Sequence, residues 1–192
     1  MKPSSIRIVG GALKGRTISI FPEQSVRPTS QRAREAILGI LDGRINRATV
    51  ADFFSGTGAM GIEALSRGAA RVAFVDHQKE LQLALYQTLS RLTLLPQSLV
   101  ITADIHLAIQ NQNLLGWRPF DVLFLDPPYQ FPKMDQILTL LEGAQLMTKH
   151  GLIIYEHFHK TISPAAVGTW SRVRKARYGD TAFTFYETST GS

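Results

Sequence analysis

Cysteine is absent from all 192 residues, which leaves no disulfide, no thiolate nucleophile and no sign of an oxidising compartment. Chemistry that begins by adding an enzyme thiolate to a substrate, as ring-carbon methylation of pyrimidines does, is closed to this chain. Long apolar runs are missing too. Nothing nears the roughly 18 unbroken apolar residues that span a bilayer, and the opening MKPSSIRIVGGALKGR lacks the apolar stretch of a signal peptide. A cytoplasmic protein that meets no membrane is expected. Acidic residues are scarce at the start: from Met1 to Arg34 only Glu23 opposes Lys2, Arg7, Lys14, Arg16, Arg27, Arg32 and Arg34. The whole chain carries 21 Lys and Arg against 15 Asp and Glu, a formal charge of +6. A basic lobe on an otherwise balanced domain suits a polyanionic partner, since each phosphate neutralised releases counterions.

What is present fills one core, with 44% hydrophobic residues over a length short for two domains. Residues 1–47 form a basic attachment. There, IRIVGGALKGRTISI reads as two short strands joined by a turn at Gly10 and Gly11. A helix capped by Thr29 or Ser30 follows, with Ala33, Ala36, Ile37, Ile40 and Leu41 as its apolar stripe and Arg32 and Arg34 opposite. Residues 48–192 form the main domain. ATVADFF, RVAFVD, LVITAD, FDVLFLD and GLIIYEH are short runs rich in branched and aromatic residues, and the first four are each followed by a segment able to hold a helix. Strands alternating with helices indicate a parallel sheet covered on both faces. The stretch WSRVRKARYGDTAFTFYE adds two strands joined at Gly179-Asp180, an antiparallel finish.

Asp52, Asp76, Asp104, Asp126 and Glu156 stand at or near the C-terminal ends of five successive strands, the rim where open α/β sheets bind ligands. One or two of the five are expected merely to cap the next helix. ADFFSGTGAMGIEAL carries Gly56, Gly58 and Gly61 in a G-x-G-x-x-G spacing between strand and helix, which allows a tight turn and opens backbone N–H groups to a ligand. That loop also fits dinucleotides, and Asp76 suits ribose hydroxyls in either case. Asp52 beside the loop would repel a diphosphate and favours a ligand with a cationic amino-acid end, which points to S-adenosylmethionine. Asp104 is then the candidate near the adenine amine, and His77 a lid or surface residue.

Asp126-Pro127-Pro128-Tyr129 closes the fourth strand. Two prolines cannot continue a central strand, so the chain leaves the sheet there in a stiff conformation. An exocyclic amine on guanine or adenine is a weak nucleophile because its lone pair is delocalised into the ring. The Asp126 carboxylate and the Pro127 carbonyl, accepting its two N–H groups, would favour a pyramidal nitrogen as attack begins. Tyr129 offers an aromatic face on which the base can stack.

Taken together, RIVGGALKGR, RPTSQRAREAIL, DFFSGTGAMGIEALSRGA, DPPY and YGDTAF resemble the bacterial RsmD-type family of class I methyltransferases, over nearly the whole chain. The resemblance implies a Rossmann-like α/β fold with a seven-stranded, mostly parallel sheet whose last strand is antiparallel. It implies S-adenosylmethionine-dependent methylation of N2 of one guanine in 16S ribosomal RNA, on an assembling 30S particle; a monomer is expected. Asp52, Gly56, Gly58 and Asp76 fall on the family's cofactor motif, and Asp126 to Tyr129 on its catalytic one. The sequence departs from the family at Phe54-Ser55, where alanine-glycine is common, at Asp76, where glutamate is frequent, and at Leu38-Gly39-Ile40, where a phenylalanine is usual. In this reading Arg7, Lys14, Arg16, Arg27, Arg32 and Arg34 form a basic face leading to the pocket and contacting RNA phosphates. Arg172, Arg174, Lys175 and Arg177 form a second rim, half of it facing RNA because strand residues alternate.

Other readings compete. An N6-adenine methyltransferase shares the DPPY chemistry, but a DNA enzyme of that kind normally needs an added recognition domain. A nicotinamide-dependent oxidoreductase is disfavoured by Asp52, and a non-catalytic RNA-binding assembly factor by Asp126 and Tyr129. Glu156, His157 and His159 alternate after a strand without further ligands, so no metal site is expected. Neither a Ser-His-Asp arrangement nor a P-loop lysine is visible.

Overall fold

The computed structural model describes residues 5–19, 31–41, 43–128 and 134–188. Among them the basic attachment begins with β1 (Ser5–Arg7) and β2 (Thr17–Ser19), an antiparallel pair, and continues into α1 (Gln31–Ile40). The main domain then alternates as read: β3 (Thr49–Phe53), α2 (Ala59–Ser66), β4 (Arg71–Asp76), α3 (Lys79–Arg91), β5 (Ser98–Thr102), α4 (Ile105–Ala108), α5 (Gln112–Leu115), β6 (Phe120–Leu125), α6 (Met134–Gly143) and β7 (Met147–Phe158). It ends with β8 (Ala166–Val167), β9 (Trp170–Tyr178) and β10 (Thr181–Thr188).

The strands make one sheet in the order β5-β4-β3-β6-β7-β10-β9-β8, parallel from β5 to β7, with β10 antiparallel to both its neighbours. The sheet differs from the expected seven strands by one. The extra member is β8, two residues that pair with the start of β9 at the sheet edge and are too short and polar in context to read as a strand from sequence. Chain order reverses between β3 and β6, so the crevice at their carboxyl ends is the topological switch point where such sheets take ligands.

Residues of successive strands point alternately to two faces, and each face has its own core. Val50, Val72, Phe74, Val122, Phe124, Leu152, Ile154, Phe183 and Phe185 lie under α1, α2, α3 and the hairpin. Ala51, Phe53, Ala73, Val75, Leu123, Leu125, Ile153, Tyr155 and Tyr186 lie under α4, α5 and α6. The attachment therefore shares the first core: Ile6, Ile8, Ile18, Ala33, Ile37, Leu38 and Leu41 are buried in it.

The loop joining β1 and β2 is longer than the turn read at Gly10-Gly11 and is docked on the end of α2. The N–H of Ala12 donates to the Ser66 carbonyl at 2.7 Å, that of Leu13 to Ser66 Oγ at 2.9 Å, and Ser66 Oγ donates to the Gly10 carbonyl. Gly11 stands at φ +74°, and a Cβ there would lie 1.8 Å from the Ser66 carbonyl oxygen, so glycine is required both by conformation and by the approach of the two backbones.

Candidate active site

Asp52, Asp76, Asp126 and Glu156 share one sheet face. Asp52 pairs with Phe124 and Phe74, both in the α1–α3 core, and Asp76 lies two residues beyond Phe74. Glu156 pairs with Phe183 of the same core. Leu125 is paired with Tyr155 across parallel strands, so the next residues, Asp126 and Glu156, leave the sheet side by side at the switch point.

The strand-to-helix loop is braced from below. Its chain reverses through Phe54 (φ +59°), Gly56 (φ +51°) and Gly58 (φ +73°). Phe54 is a non-glycine residue in the left-handed region, a conformation that costs on the order of 1–3 kcal/mol and concentrates at functional loops. Gly56 donates its N–H to Asp76 Oδ2 at 2.9 Å and Gln78 donates to Asp76 Oδ1 at 2.9 Å, so each oxygen of that buried carboxylate already fixes the backbone and keeps one further lone pair for a ligand. Gln82 Nε2 donates to Ser55 Oγ at 2.9 Å. Gly61 is set by packing: a Cβ there would sit 2.3 Å from the Phe74 ring, so this glycine lets α2 lie against β4 and does not itself open room for a ligand.

Electrostatics at the rim are unusual. Asp52 is 4% exposed, and its Oδ2 accepts the Gly61 N–H at 2.9 Å. Burial pushes its carboxyl up to about 8 against the relief of that bond, and the charges of Asp76 and Glu156 push the same way. Asp126 is exposed at the end of β6 yet crowded by protein, and desolvation raises it well above the usual carboxylate range, with repulsion from Glu156 and Asp52 adding. A rim of crowded carboxylates, one fully desolvated, fits a ligand that brings positive charge, as the sulfonium and ammonium of S-adenosylmethionine do, and opposes a diphosphate.

Beside the rim, on the other sheet face, Tyr155 stacks on His157 with centroids 4.7 Å apart. Burial and the Asp126 charge raise the Tyr155 hydroxyl. His157 has both ring nitrogens engaged, Nδ1 at 2.8 Å from the Phe158 carbonyl and Nε2 at 2.8 Å from Thr184 Oγ1. Asp104 takes the expected bland role at least in part, since it caps α4 by accepting the His106 N–H at 2.8 Å, and it remains exposed on the rim. His77 is exposed, as read. Pro127 and Pro128 follow Asp126 out of the sheet, while Tyr129, Arg27, Thr29 and Ser30 lie outside the described residues.

The basic residues do not converge as expected. Arg34 is corrected outright: it is 2% exposed, its guanidinium donates to the Arg7 carbonyl at 3.0 Å and stands 3.9 Å from Glu63, so it cannot meet RNA phosphates. Lys14 and Arg16 are exposed, but their loop rests on the last residues of α2 and α3, where Arg16 donates to the Arg91 carbonyl. Those helices start at the carboxylate rim and end at the opposite edge of the sheet, so this pair does not lead into the pocket. Arg7 is exposed on β1, and Arg32 is exposed in the first turn of α1. Arg177 and Tyr178, pairing with Ala182 and Thr181, end β9 near the rim.

Sequence reasoning missed Glu63. It is fully buried, accepts the Val9 N–H at 2.7 Å and faces Arg34, tying the attachment to the helix of the glycine loop. Its signal was an acid inside the otherwise apolar AMGIEAL, a charge that needs a buried partner.

The chain is 32% identical over 186 residues to the Bacillus subtilis (strain 168) protein YlbH, covering 95% of this chain and 98% of that one. It is 32% identical to ribosomal RNA small subunit methyltransferase D of Buchnera aphidicola subsp. Acyrthosiphon pisum, over 83% of this chain and 81% of the relative. The solved structure of yhhF from Escherichia coli superposes with a TM-score of 0.85 at 26% identity, covering 98% of this chain and all of that one. The same span holds the docked hairpin, Arg34, the glycine loop and the DPPY rim, and the model of the family described as Conserved hypothetical protein 95 matches it from residue 6 to 187: this chain belongs to that family, the one of the RsmD-type methyltransferases.

Proposed function

We propose that this protein transfers a methyl group from S-adenosylmethionine to N2 of a guanine in 16S ribosomal RNA, acting as a monomer on an assembling 30S particle. The observation that carries the reading is the pairing of Asp126 with the Pro127-Pro128 exit at the switch point, next to a glycine loop whose buried Asp52 favours a cationic ligand.

Asp52, the Gly56–Gly58 backbone and Asp76 would hold the cofactor, with Asp104 beside the adenine. The cofactor supplies an electrophilic methyl carbon on a sulfonium. Asp126 and the Pro127 carbonyl hold the two N–H groups of the amine, so that its lone pair is freed from the ring and aimed. Once methylated, the amine would have one proton to give up, and Asp126 or water would accept it. A carboxylate raised above its usual range is the better proton acceptor near neutral pH. Tyr129 stacks the base. Because an amine inside a helix is out of reach, the target guanine has to be unstacked and turned into the cleft.

RNA approaches the carboxylate rim across Arg7, Arg32 and Arg177, and Lys14 and Arg16 would contact phosphates only where the particle wraps past the far edge. Methyl transfer from labelled S-adenosylmethionine to under-methylated small subunits, naked ribosomal RNA and duplex DNA, followed by nucleoside analysis, tests the reading. N2-methylguanosine from the ribosomal samples is expected. N6-methyladenine would keep the mechanism and overturn the substrate.

A further inference from the structure

Asp126 has a role in this reading and Glu156, beside it, has none. The two belong to neighbouring parallel strands, one register step past the Leu125–Tyr155 pair, and neighbouring strands lie about 4.8 Å apart. Glu156 is half-buried at the carboxyl-end rim of the sheet, while its strand neighbours Tyr155 and His157 are buried on the opposite face. Its carboxylate acts on Asp126 more strongly than any other charge does.

An independent feature links Glu156 to a buried cation. Arg34, buried under α1 on the same sheet face, feels attraction from Glu63 and from Glu156 together. A guanidinium removed from water is costly and is kept where anions compensate it. One anion, Glu63, fixes the hairpin, and the other lies at the rim. Thus the attachment brings a buried cation within electrostatic reach of the carboxylate beside Asp126.

Guanine and adenine differ on the edge such a charge would meet. Guanine presents a ring N1–H next to its N2 amine, so two adjacent donors face two adjacent carboxylates. Adenine and 2-aminopurine present a bare N1 lone pair, which a carboxylate repels. We propose that Glu156 is the base-reading residue of this site, accepting the N1–H of guanine while Asp126 takes the exocyclic amine. This inference rests on the guanine-N2 reading above and adds the group that selects the base. It assigns Arg34 as a positioning residue for Glu156.

The test uses the full chain and small-subunit RNA bearing either guanosine or 2-aminopurine riboside at the methylated position, since 2-aminopurine keeps the C2 amine and lacks the N1–H. For the unaltered protein, kcat/KM is expected to favour guanosine by roughly ten- to a hundredfold, the discrimination typical of one well-made pair of polar contacts. In Glu156→Gln the side-chain amide can turn and donate to a bare N1, so the preference should collapse to within a few-fold while S-adenosylmethionine affinity, titrated directly, is retained. Glu156→Asp keeps the charge opposite Arg34 with a shorter reach and guards against misfolding; it should keep the preference for guanosine at reduced kcat/KM. N2-methylguanosine made with an undiminished preference by Glu156→Gln, or wild-type kinetics from Glu156→Asp should Glu156→Gln not fold, would overturn the assignment of Glu156 and leave the guanine-N2 reading intact. N6-methyladenosine as the product would overturn both.

Discussion

Arg34 and Glu63 meet inside the protein, guanidinium nitrogen 3.9 Å from carboxylate oxygen, with neither side chain more than 2% exposed. Burial lowers the one and raises the other from their ordinary values, and each partly restores its partner. Removing one member of a buried pair strands the other charge, which costs about 3–5 kcal/mol. Arg34→Met should therefore destabilise the chain by that order in denaturant unfolding. Arg34→Met with Glu63→Gln should recover part of the loss, because no ionised partner is left behind. Additive losses in the double variant would mean that the two side chains act independently.

How much of this was legible in the sequence depended on whether a residue's partner was local. The apolar strands, the loop at Gly56–Gly61 and the turn out of the sheet at Pro127-Pro128 are set by neighbours a few residues away, and they stand where periodicity and punctuation put them. Arg34 was misread because a charge suggests exposure. On the helix it lies three and four residues before Ile37 and Leu38, squarely on the buried stripe of Ala33, Arg34, Ile37, Leu38 and Leu41, and the carboxylate that permits this is 29 positions away. That the rim carboxylates share one face follows from strand register, a two-residue period that one slip would invert, and register became visible only with the paired strands. The β8 edge strand is fixed by contact with Trp170 and Ser171 and has no local pattern of its own.

Asp52 makes cofactor binding and stability respond to pH in opposite directions. Its carboxyl is raised to about 8, so the free folded chain holds a proton there that the unfolded chain gives up above about pH 4. Stability of the free protein should then fall as pH rises from about 4 to about 8, by up to about 1.4 kcal/mol per pH unit for a group with these two limits, and level off above. A cationic ligand favours the charged form, so S-adenosylmethionine should bind more tightly as pH rises towards 8 and release a proton on binding below it. Titration calorimetry in two buffers of different ionisation enthalpy reads that proton directly; identical heats in both would remove Asp52 from the cofactor site.

Asp76 and Asp126 should separate binding from chemistry. Asp76 fixes the glycine loop through Gly56 and Gln78, and its replacement by alanine frees both N–H groups, so cofactor affinity should drop by tenfold or more. Asp126→Asn keeps the shape of the rim and removes the acceptor charge, so kcat should fall by roughly 10²- to 10³-fold with cofactor affinity unchanged or somewhat altered by the lost repulsion at Asp52. Single-turnover transfer rates and cofactor titrations on the two variants check the division. If both lost affinity alike and transferred alike when saturated, the roles would not be distinct.

Arg32 and Arg34 stand two residues apart on α1 and should fail in different assays. Arg32 is exposed in the first turn of α1, so Arg32→Ala should leave unfolding unchanged to within about 0.5 kcal/mol. If it meets a phosphate, RNA affinity should fall and the slope of log affinity against log salt should shrink by about 0.7 to 0.9, the counterion released per contact. Arg34→Met should do the reverse, lowering stability while leaving the salt slope of the folded fraction in place. Lys14→Ala with Arg16→Ala reports on the far edge of the sheet: an unchanged slope with naked RNA and a reduced one with the assembled particle would mean that only the larger substrate reaches round to it. A reduced slope for all three exposed residues on short RNA would instead require the strand to run along the hairpin from one edge of the sheet to the other.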